Sequence, residues 1–477
     1  MNVKPNSCSL NPTTAWAWIR FPPWVRVWHR LVFLLARCFR WWRVPTRKPQ
    51  PSFLANLAWL CRSREPVLSA EPRSGLAEYF AQQPLHQVQF LPDGFNVEDN
   101  LILSAVGDLL PCRGLAASRD RLYGQIGSKL FGADIAMANF EAVLSENADK
   151  KTIAGLHEPI QMTASDLTSR TLTRHGKQQY TILHMANNHT FDLGFDGFLH
   201  THQTLRRQGF ALLGTHLHPD LRGQGMVLER RGFRLGFVAA TYGVNGGQLP
   251  PGCHGLLNLE PLHEVEAAAA CPTLEDQIRW CREEGCQFVV ASLHWGHEFE
   301  LYPRLSQVKL AHSLIEAGAD AIIGHHSHML QPFELYRMKR SPGKLAPIFY
   351  GLGNLTSLFS APYNALSGLL RLHLVVGKRE GHRSDGRRDA GHRDAGRRDA
   401  DRLELALGGF ELTPVLQTEI RNAGRSYLRI DYLHQLLEEP STRSRRAYVE
   451  EAARYADLAL NYGWRLNGSL SMGLNPS

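Results

Sequence analysis

The chain contains 477 residues, of which 43% are hydrophobic and 21% are charged, and its formal charge is +8. This composition is typical of a soluble globular protein and excludes both wholesale disorder and a polytopic membrane protein. The eight cysteines are scattered and form no Cys-x-x-Cys pair, which excludes a disulfide scaffold and a zinc ribbon.

The N-terminal segment, residues 1–64, differs in composition from the rest of the chain. It holds 11 Lys and Arg, no acidic residue and seven of the ten tryptophans. Its longest uncharged apolar run, Leu31–Ala36, is far shorter than the roughly 20 residues that a membrane-spanning helix needs. Because Arg and Trp favour the lipid headgroup layer, we expect a tail that contacts a membrane surface; a disordered or wrongly assigned extension is the alternative.

The remaining residues carry no basic excess. After residue 64 there are 42 Lys and Arg against 45 Asp and Glu, a net charge of −3. A nucleic-acid-binding surface should leave an excess of basic residues in the folded part of the chain. The sequence therefore predicts no nucleic-acid partner.

Short apolar runs alternate with amphipathic stretches between about residues 98 and 378. Each run is bounded by glycine or polar residues, which predicts buried strands. The predicted strands are Leu101–Gly107, Asp134–Ala138, Tyr180–Ala186, Phe288–Leu293, Ala319–Gly324 and Pro347–Leu352. The stretches Phe195–Gln208 and Leu305–Ala317 have the periodicity of helices. Strands that alternate with helices indicate an α/β fold with extensive parallel pairing.

Five of these strands lead into residues that can bind metals. Although a single histidine at the end of a strand is usually structural, ligands gather at the carboxyl ends of strands in α/β sheets. The residues are Asp108, Glu141, Asn188 with His189, His294, and the pair His326 and His328. Imidazoles, carboxylates and a carboxamide together suit Mn, Zn or Fe better than thiolate-preferring ions. The sequence therefore predicts a site for one or two divalent metal ions.

The order of these motifs resembles that of the CapA family, the poly-γ-glutamate capsule biosynthesis proteins of bacteria, which are related to calcineurin-like metallophosphoesterases. The resemblance covers roughly residues 98–378 and resumes at 403–415. It implies a four-layer α-β-β-α sandwich of the metallophosphoesterase type, in which two central sheets face each other and helices cover both outer surfaces. The motifs that carry it are Gly107-Asp108, Asn139-Phe140-Glu141, Asn188-His189 with Asp192, His294-Trp295-Gly296 and the run from Gly324 to His328.

The resemblance implies a set of metal ligands. Asp108 matches the ligand from the first strand, and Glu141 matches a carboxylate that bridges two metals. Asn188 matches the amide ligand of the second metal. The ligands that complete the set are His294, His326 and His328.

The resemblance also implies a catalytic pair, His189 and Asp192. His189 stands where an imidazole contacts the substrate or protonates a leaving oxygen. Asp192 is expected either to orient that ring or to cap the following helix. Glu298, in the run HWGHE, is expected to support His294 from outside the ligand set.

The chain departs from the phosphoesterase pattern at Leu110. Phosphoesterases usually have a histidine ligand at this position, so His297, His325 or water would have to replace it. The bridging acid is a glutamate in an Asn-x-Glu setting rather than an aspartate. The sequence therefore leaves open whether one or two metals bind and whether the site hydrolyses phosphoesters.

The predicted organisation has four parts. A tail at 1–64 and a linker at 65–97 precede a CapA-like metallophosphoesterase-fold domain at 98–430, and a helical extension follows at 431–477. Within the domain, a low-complexity insertion at 381–401 repeats GRRDA, GHRDA and GRRDA, which predicts a solvated loop.

Two functions agree with the sequence. The first is a metal-dependent hydrolase of the phosphoesterase type that acts on a phosphoester or an anionic polymer. The second is a non-catalytic, membrane-associated accessory protein that serves anionic polymer synthesis or export beside the capsule synthesis machinery. The expected location is the cell envelope or a membrane surface, and the cytoplasm is the alternative.

Overall fold

The computed structural model describes residues 58–59, 61–84, 88–148, 161–245, 247–263, 271–359, 361–379, 403–422, 425–440, 443–465 and 467–473. Residues 1–57 of the predicted tail and the predicted insertion at 381–401 lie outside these ranges. Within them, no helix combines the length and the apolar character needed to cross a membrane.

The described chain is rich in strands, many of them short. In chain order they are β1 (Phe95–Leu109), β2 (Ile135–Phe140), β3 (Val143–Leu144), β4 (Thr163–Ala164), β5 (Arg174–His175), β6 (Gln178–Gln179), β7 (Ile182–His184), β8 (Ala211–Leu213), β9 (Met226–Arg230), β10 (Phe233–Thr241), β11 (Phe288–His294), β12 (Ala321–His325), β13 (Phe333–Arg337), β14 (Leu345–Phe349), β15 (Asn354–Thr356), β16 (Leu366–Arg379), β17 (Glu404–Asn422), β18 (Arg425–Tyr432) and β19 (Leu470–Gly473).

The helices fall mainly between strands, as expected for an α/β fold. They are α1 (Leu76–Ala81), α2 (Gly127–Phe131), α3 (Asp166–Thr173), α4 (Gly194–Arg207), α5 (Pro272–Glu283), α6 (Leu305–Ala317), α7 (Leu433–Glu438) and α8 (Arg443–Leu460), with short 3₁₀ turns at Ala116–Arg121, Pro219–Leu221 and Pro362–Asn364.

Two large sheets form the centre of the molecule. The first has the order β18-β17-β16-β1-β2-β7-β8, with β15 beside β1 and β19 beside β17. The second has the order β13-β14-β12-β11-β10-β9. Strands β1, β2, β7 and β8 run parallel to one another, as do β10, β11, β12 and β14. The carboxyl ends of these strands therefore gather at one edge of each sheet.

The two sheets pack face to face because alternate residues of each strand point to opposite faces. In β2, Ile135 and Met137 join the buried cluster between the sheets, whereas Ala136 and Ala138 face the outer layer. In the second sheet, Phe237 of β10 lies in the same inner cluster. The inner faces of both sheets thus form one apolar core.

Helices cover the outer faces of both sheets. Leu172 of α3 and Leu205 of α4 pack on the outside of the first sheet. Ile278 of α5 and Leu314 of α6 pack on the outside of the second. These layers confirm the expected four-layer α-β-β-α sandwich.

The described end of the predicted tail packs against the domain. The Trp59 ring contacts those of Phe299 and Phe359 edge-on, with centroids 5.8 and 6.1 Å apart. Arg62 forms a buried ion pair with Glu300, with Nη1 and Oε1 3.0 Å apart. The predicted boundary at residue 64 therefore falls inside the packed part of the chain.

The segments predicted as a linker and as a C-terminal extension also belong to the packed body. Leu76 and Phe80 of α1 are buried beside the second sheet, and β1 begins at Phe95 rather than near residue 98. Helices α7 and α8 contribute Leu436 and Ala456 to the core between the sheets. Strand β19, which the sequence analysis did not predict, pairs with β17.

We expect Gly324→Ala to destabilise the protein by about 3 kcal/mol, because the added methyl group would meet backbone atoms, which cannot move aside as a flexible side chain could. A Cβ atom at position 324 would lie 1.8 Å from the carbonyl oxygen of Tyr350. Gly223→Ala is the matched control, because a Cβ atom there has no neighbour within 4 Å. Chemical denaturation of both variants measures the effect; equal stabilities would contradict the packing described for β12.

Candidate metal centre

Strand register places the polar residues at the ends of both sheets. In the first sheet, Asp108 of β1 lies between Asn139 of β2 and Asn354 of β15. In the second sheet, His294 of β11 pairs with His325 of β12. Because the sheets face each other, the two rows of side chains meet in a buried space between the strand ends.

The structure brings all six predicted ligands into this space. Their relative exposures are at most 5%. Asp108 lies near the end of β1, His294 is the last residue of β11, and the others lie in the loops that directly follow strands. The six are Asp108, Glu141, Asn188, His294, His326 and His328.

Two groups of potential ligands share Glu141. One contains Glu141, His294 and His326, and the other contains Asp108, Glu141 and His328. Within each group, one ligand atom from every residue lies within 4.8 Å of the others. This arrangement fits the bridging position that the resemblance implies for Glu141.

The Oε1 atom of Glu141 is the focus of the cluster. It lies 3.7 Å from Nε2 of His294, 3.8 Å from Nε2 of His189 and 4.0 Å from Nε2 of His328. The atom is buried and has no hydrogen-bond partner in the described chain. A buried carboxylate oxygen of this kind is stabilised by a nearby positive charge, and the imidazoles around it are side chains of a type that binds divalent cations.

Asp108 connects the two sheets. Its Oδ1 atom accepts a hydrogen bond from Nδ2 of Asn139 at 2.9 Å and lies 3.1 Å from Nδ1 of His325. Its Oδ2 atom accepts a hydrogen bond from the backbone N–H of His326 at 3.1 Å and lies 3.4 Å from Nδ1 of His328. One carboxylate therefore holds the whole turn after β12.

That turn has a strained backbone. His326 and His328 have φ angles of 83° and 54°, in the left-handed region that non-glycine residues rarely adopt. Each such residue costs on the order of 1–3 kcal/mol and persists where surrounding contacts impose it. The contacts of Asp108 with this turn supply that constraint.

Asn139 belongs to the motif Asn139-Phe140-Glu141 but was not among the predicted site residues. Its Nδ2 atom lies 2.9 Å from Oδ1 of Asp108 and 3.3 Å from Oε2 of Glu141, so one amide group bridges the two carboxylates. Asn187 donates a hydrogen bond to Oδ1 of Asn139 at 3.1 Å and fixes its orientation. The Asn-x-Glu spacing was the available signal.

Asn188 faces the cluster through its oxygen. Its Nδ2 atom donates to Oδ1 of Asn245 at 3.1 Å, which leaves Oδ1 2.7 Å from Nε2 of His294. The carboxamide oxygen is the atom that binds a metal, so this orientation agrees with the implied ligand role. No pattern in the sequence indicated Asn245, which lies in the loop after β10.

His328 is oriented by Asn354 and contacted by Glu298. Its Nδ1 atom lies 2.8 Å from Oδ1 of Asn354, and the Asn354 amide in turn donates to the backbone oxygen of Asn364 at 2.9 Å. The Nε2 atom lies 3.5 Å from Oε1 of Glu298. The prediction that Glu298 supports His294 is therefore wrong: the loop after β11 turns this carboxylate towards His328.

His189 and Asp192 form a pair at the border of the cluster. Nδ1 of His189 lies 2.6 Å from Oδ2 of Asp192, so this nitrogen carries a proton and Nε2 faces Glu141. Asp192 also accepts a hydrogen bond from the backbone N–H of Met162 at 2.6 Å. Helix α4 begins at Gly194 with Leu193 as its N-cap. The orienting role expected for Asp192 is thus the one seen, and the capping role is not.

Leu110 occupies the position at which phosphoesterases usually have a histidine ligand. It is buried in the apolar layer outside the first sheet. Of the two histidines considered as replacements, His325 contacts Asp108. The other, His297, stacks on His263 with ring centroids 4.7 Å apart. Neither replacement belongs to the two groups that share Glu141.

The charges of the cluster depend on burial and on close pairs. Burial and the nearby Asp108 raise the pKa of Glu141 to about 8. Burial opposes ionisation of Asp108 as well, but His325 and His328 hold its pKa well below the usual value. Burial lowers the pKa of His326 to about 4, so this ring is neutral, as a metal ligand must be. Ionisation of Glu141 therefore becomes easier when positive charge lies close to its carboxyl group.

Comparisons with known proteins agree with the motifs. Residues 102–358 match the family described as Bacterial capsule synthesis protein PGA_cap. Capsule biosynthesis protein CapA of Bacillus anthracis is 28% identical over 269 residues, which are 54% of this chain and 59% of that protein. PGA biosynthesis protein CapA of Bacillus subtilis (strain 168) is 25% identical over 268 residues, 54% of this chain and 63% of that protein. The match thus spans about three fifths of the length of these relatives.

A solved structure is also similar. A hypothetical protein from Thermus thermophilus aligns with 69% of this chain and 99% of its own, at 15% identity and a TM-score of 0.28. This score is too low for an inference about the fold. The evidence for the four layers is the arrangement of the strands and helices of the chain itself.

We expect the purified protein to retain about one to two equivalents of Mn²⁺, Zn²⁺ or Fe²⁺. The double variant His326→Ala/His328→Ala should retain less than about 0.3 equivalents, because it removes one imidazole from each of the two groups that share Glu141. Metal analysis measures the content. His200→Ala, on the exposed face of α4, is the control. Equal metal content in all three proteins would contradict the site.

Proposed function

The chain belongs to the bacterial capsule synthesis protein PGA_cap family, and we propose that it is a metal-dependent hydrolase of the phosphoesterase type that acts in the synthesis of a capsule or of poly-γ-glutamate. The observation that carries the proposal is the sharing of Glu141 by two groups of potential ligands. The names of the Bacillus relatives support the capsule and polyglutamate context.

The residues present fit a divalent-cation site with one or two ions. Glu141 and Asp108 supply carboxylate oxygens, Asn188 a carboxamide oxygen, and His294, His326 and His328 imidazole nitrogens. Such ions supply Lewis-acid polarisation of a phosphoester and lower the pKa of water.

His189 is positioned to act as a proton donor. Asp192 accepts a hydrogen bond from Nδ1 and keeps Nε2 directed into the site. Burial opposes the charged ring, but the carboxylates of Asp192 and Glu141 raise the pKa of His189 above its usual value. The raised pKa favours the protonated ring, which can give its proton to a leaving oxygen.

The second candidate is a non-catalytic accessory role in anionic polymer synthesis or export. The observation that favours it is Leu110, which leaves the Asp108 group without the histidine that phosphoesterases usually have there. In this role the same residues bind a cation for structure or for recognition of the polymer. The absence of turnover by a metal-loaded protein distinguishes the two candidates.

The proposed surroundings are those of the cell envelope. The Arg- and Trp-rich composition of residues 1–57, which precede the packed Trp59 and Arg62, supports contact with a membrane surface. The family supports capsule synthesis machinery as a partner and an anionic polymer or its phosphoester precursor as the substrate.

The hydrolase proposal is tested with the Mn²⁺-loaded protein on bis(p-nitrophenyl) phosphate and on a γ-glutamyl amide. We expect hydrolysis of the phosphodiester and a loss of at least about 100-fold in kcat/KM for Glu141→Gln, because the carboxylate shared by both groups is lost. Glu283→Gln, on the exposed surface of α5, is the matched control. A metal-loaded protein that turns over neither probe would leave the accessory role as the function.

Asp192→Asn tests the role of His189. We expect kcat to fall about 100-fold, because the His189 ring loses its orientation and its proton, while KM and metal content change little. The loss should be larger for a phenyl than for a p-nitrophenyl ester, since a poor leaving group depends more on protonation. Asp196→Asn, an exposed residue of the first turn of α4, is the control. Equal losses on both esters would contradict the proton-donor role.

A further inference from the structure

A cleft lies beyond the last strand of the first sheet, away from the predicted ligands. It has a volume of about 720 Å³, within the range typical of small-molecule sites. Its walls are the C-terminal half of α4, the loop that follows β8, the start of β9, and Asn258 and Gln277. We call it the edge cleft. None of the six predicted metal ligands lines it.

The edge cleft is basic. Arg206 and Arg207 of α4 line it together with His202, His216 and His218, and no acidic residue does. This concentration of positive charge contrasts with the net charge of −3 that the chain carries after residue 64.

The two arginines are not neutralised by the protein. Neither Arg206 nor Arg207 forms an ion pair with an acidic residue in the part of the chain that the structure describes. Arg207 donates hydrogen bonds to the backbone oxygen of Gln203 and to Oγ1 of Thr204, both at 3.3 Å. Arginines in the last turn of a helix interact favourably with the helix dipole. This interaction explains neither the cavity beside the two arginines nor the histidines that line it.

The wall formed by the loop after β8 carries Thr215, His216 and His218 beside Leu217 and Leu221, and hydrogen bonds hold part of it in place. His216 lies with Nε2 3.0 Å from Oδ1 of Asn258, whose amide donates to the backbone oxygen of Ala239 at 2.9 Å. Thr215 Oγ1 and His202 Nδ1 are buried and have no hydrogen-bond partner among the described residues. Both residues line the cleft.

The charges of the cleft act on one another. Burial and the nearby Arg206 lower the pKa of His202 to about 4. Burial also lowers the pKa of His216, and the positive charge of Arg222 adds to the effect. Burial and the positive potential therefore keep both rings neutral, and an anion in the cleft would relieve that potential.

We propose that the edge cleft is an anion-binding site, in which Arg206 and Arg207 hold the carboxylate or phosphate groups of a ligand independently of the metal centre. Guanidinium groups bind both kinds of oxyanion through paired N–H donors. Strand β8 pairs with β7, which leads into Asn188 and His189, so the cleft lies beside the same sheet that supplies part of the metal centre.

The test uses the full chain stripped of metal with a chelator, so that its outcome does not depend on the hydrolase proposal. Calorimetry measures binding of tri-γ-glutamate, of tripolyphosphate and of an uncharged analogue, the same γ-linked peptide with its carboxylates amidated and its amino terminus acetylated. We expect at least one anion to bind and the uncharged analogue not to bind. Arg206→Gln/Arg207→Gln should weaken anion binding at least about tenfold, because charged hydrogen bonds are lost.

Three further variants make the test specific. Arg443→Gln/Arg446→Gln removes two exposed arginines from the surface of α8 and should leave binding within about twofold. His326→Ala alters the metal centre and should leave anion binding unchanged. Arg206→Lys/Arg207→Lys keeps the charge and should retain part of the affinity, which separates loss of charge from loss of structure.

The outcome also identifies the chemistry of the ligand. Preference for tri-γ-glutamate assigns the cleft to carboxylates, and preference for tripolyphosphate assigns it to phosphates; either result supports the proposal. Failure of both anions to bind below about 5 mM would overturn it. So would binding that survives Arg206→Gln/Arg207→Gln or that falls equally in Arg443→Gln/Arg446→Gln.

Discussion

Two carboxylates buried between the sheets determine the arrangement of the site. Asp108 accepts hydrogen bonds from Asn139 in its own sheet and from the backbone of His326 in the other, so one side chain ties both strand ends together. Burial and the nearby Asp108 raise the pKa of Glu141 to about 8. Of two buried acids this close, one keeps its proton unless positive charge lies beside it. His328 and His189 oppose the rise in this pKa, and a bound cation would oppose it further.

Much of the fold and of this cluster could be predicted because of one regularity. Each buried strand is apolar along its length and becomes polar at or just after its carboxyl end, and parallel pairing gathers these ends. Asp108 and His294 lie on strands, so register alone places them. For the turn from His326 to His328, the sequence predicts two ligands but not the backbone conformation. The left-handed φ angles of these residues depend on contacts with a distant strand.

The rest depends on packing that local pattern does not encode. Asn245 is a single polar residue in a loop, and its side-chain amide becomes important only because it orients Asn188. The Arg- and Trp-rich composition of the first 64 residues gives no indication that Trp59 and Arg62 pack on the domain. The edge cleft could not be predicted either, since its arginines resemble those of an ordinary helix end until the loop after β8 is seen beside them.

The sharing of Glu141 between two proposed cation sites is tested most directly by diffraction from crystals grown with Mn²⁺. We expect anomalous density beside Glu141 at the group with His294 and His326, and at the group with Asp108 and His328 when both sites are filled. Manganese bound elsewhere, with no density in contact with the Glu141 carboxylate, would contradict this sharing.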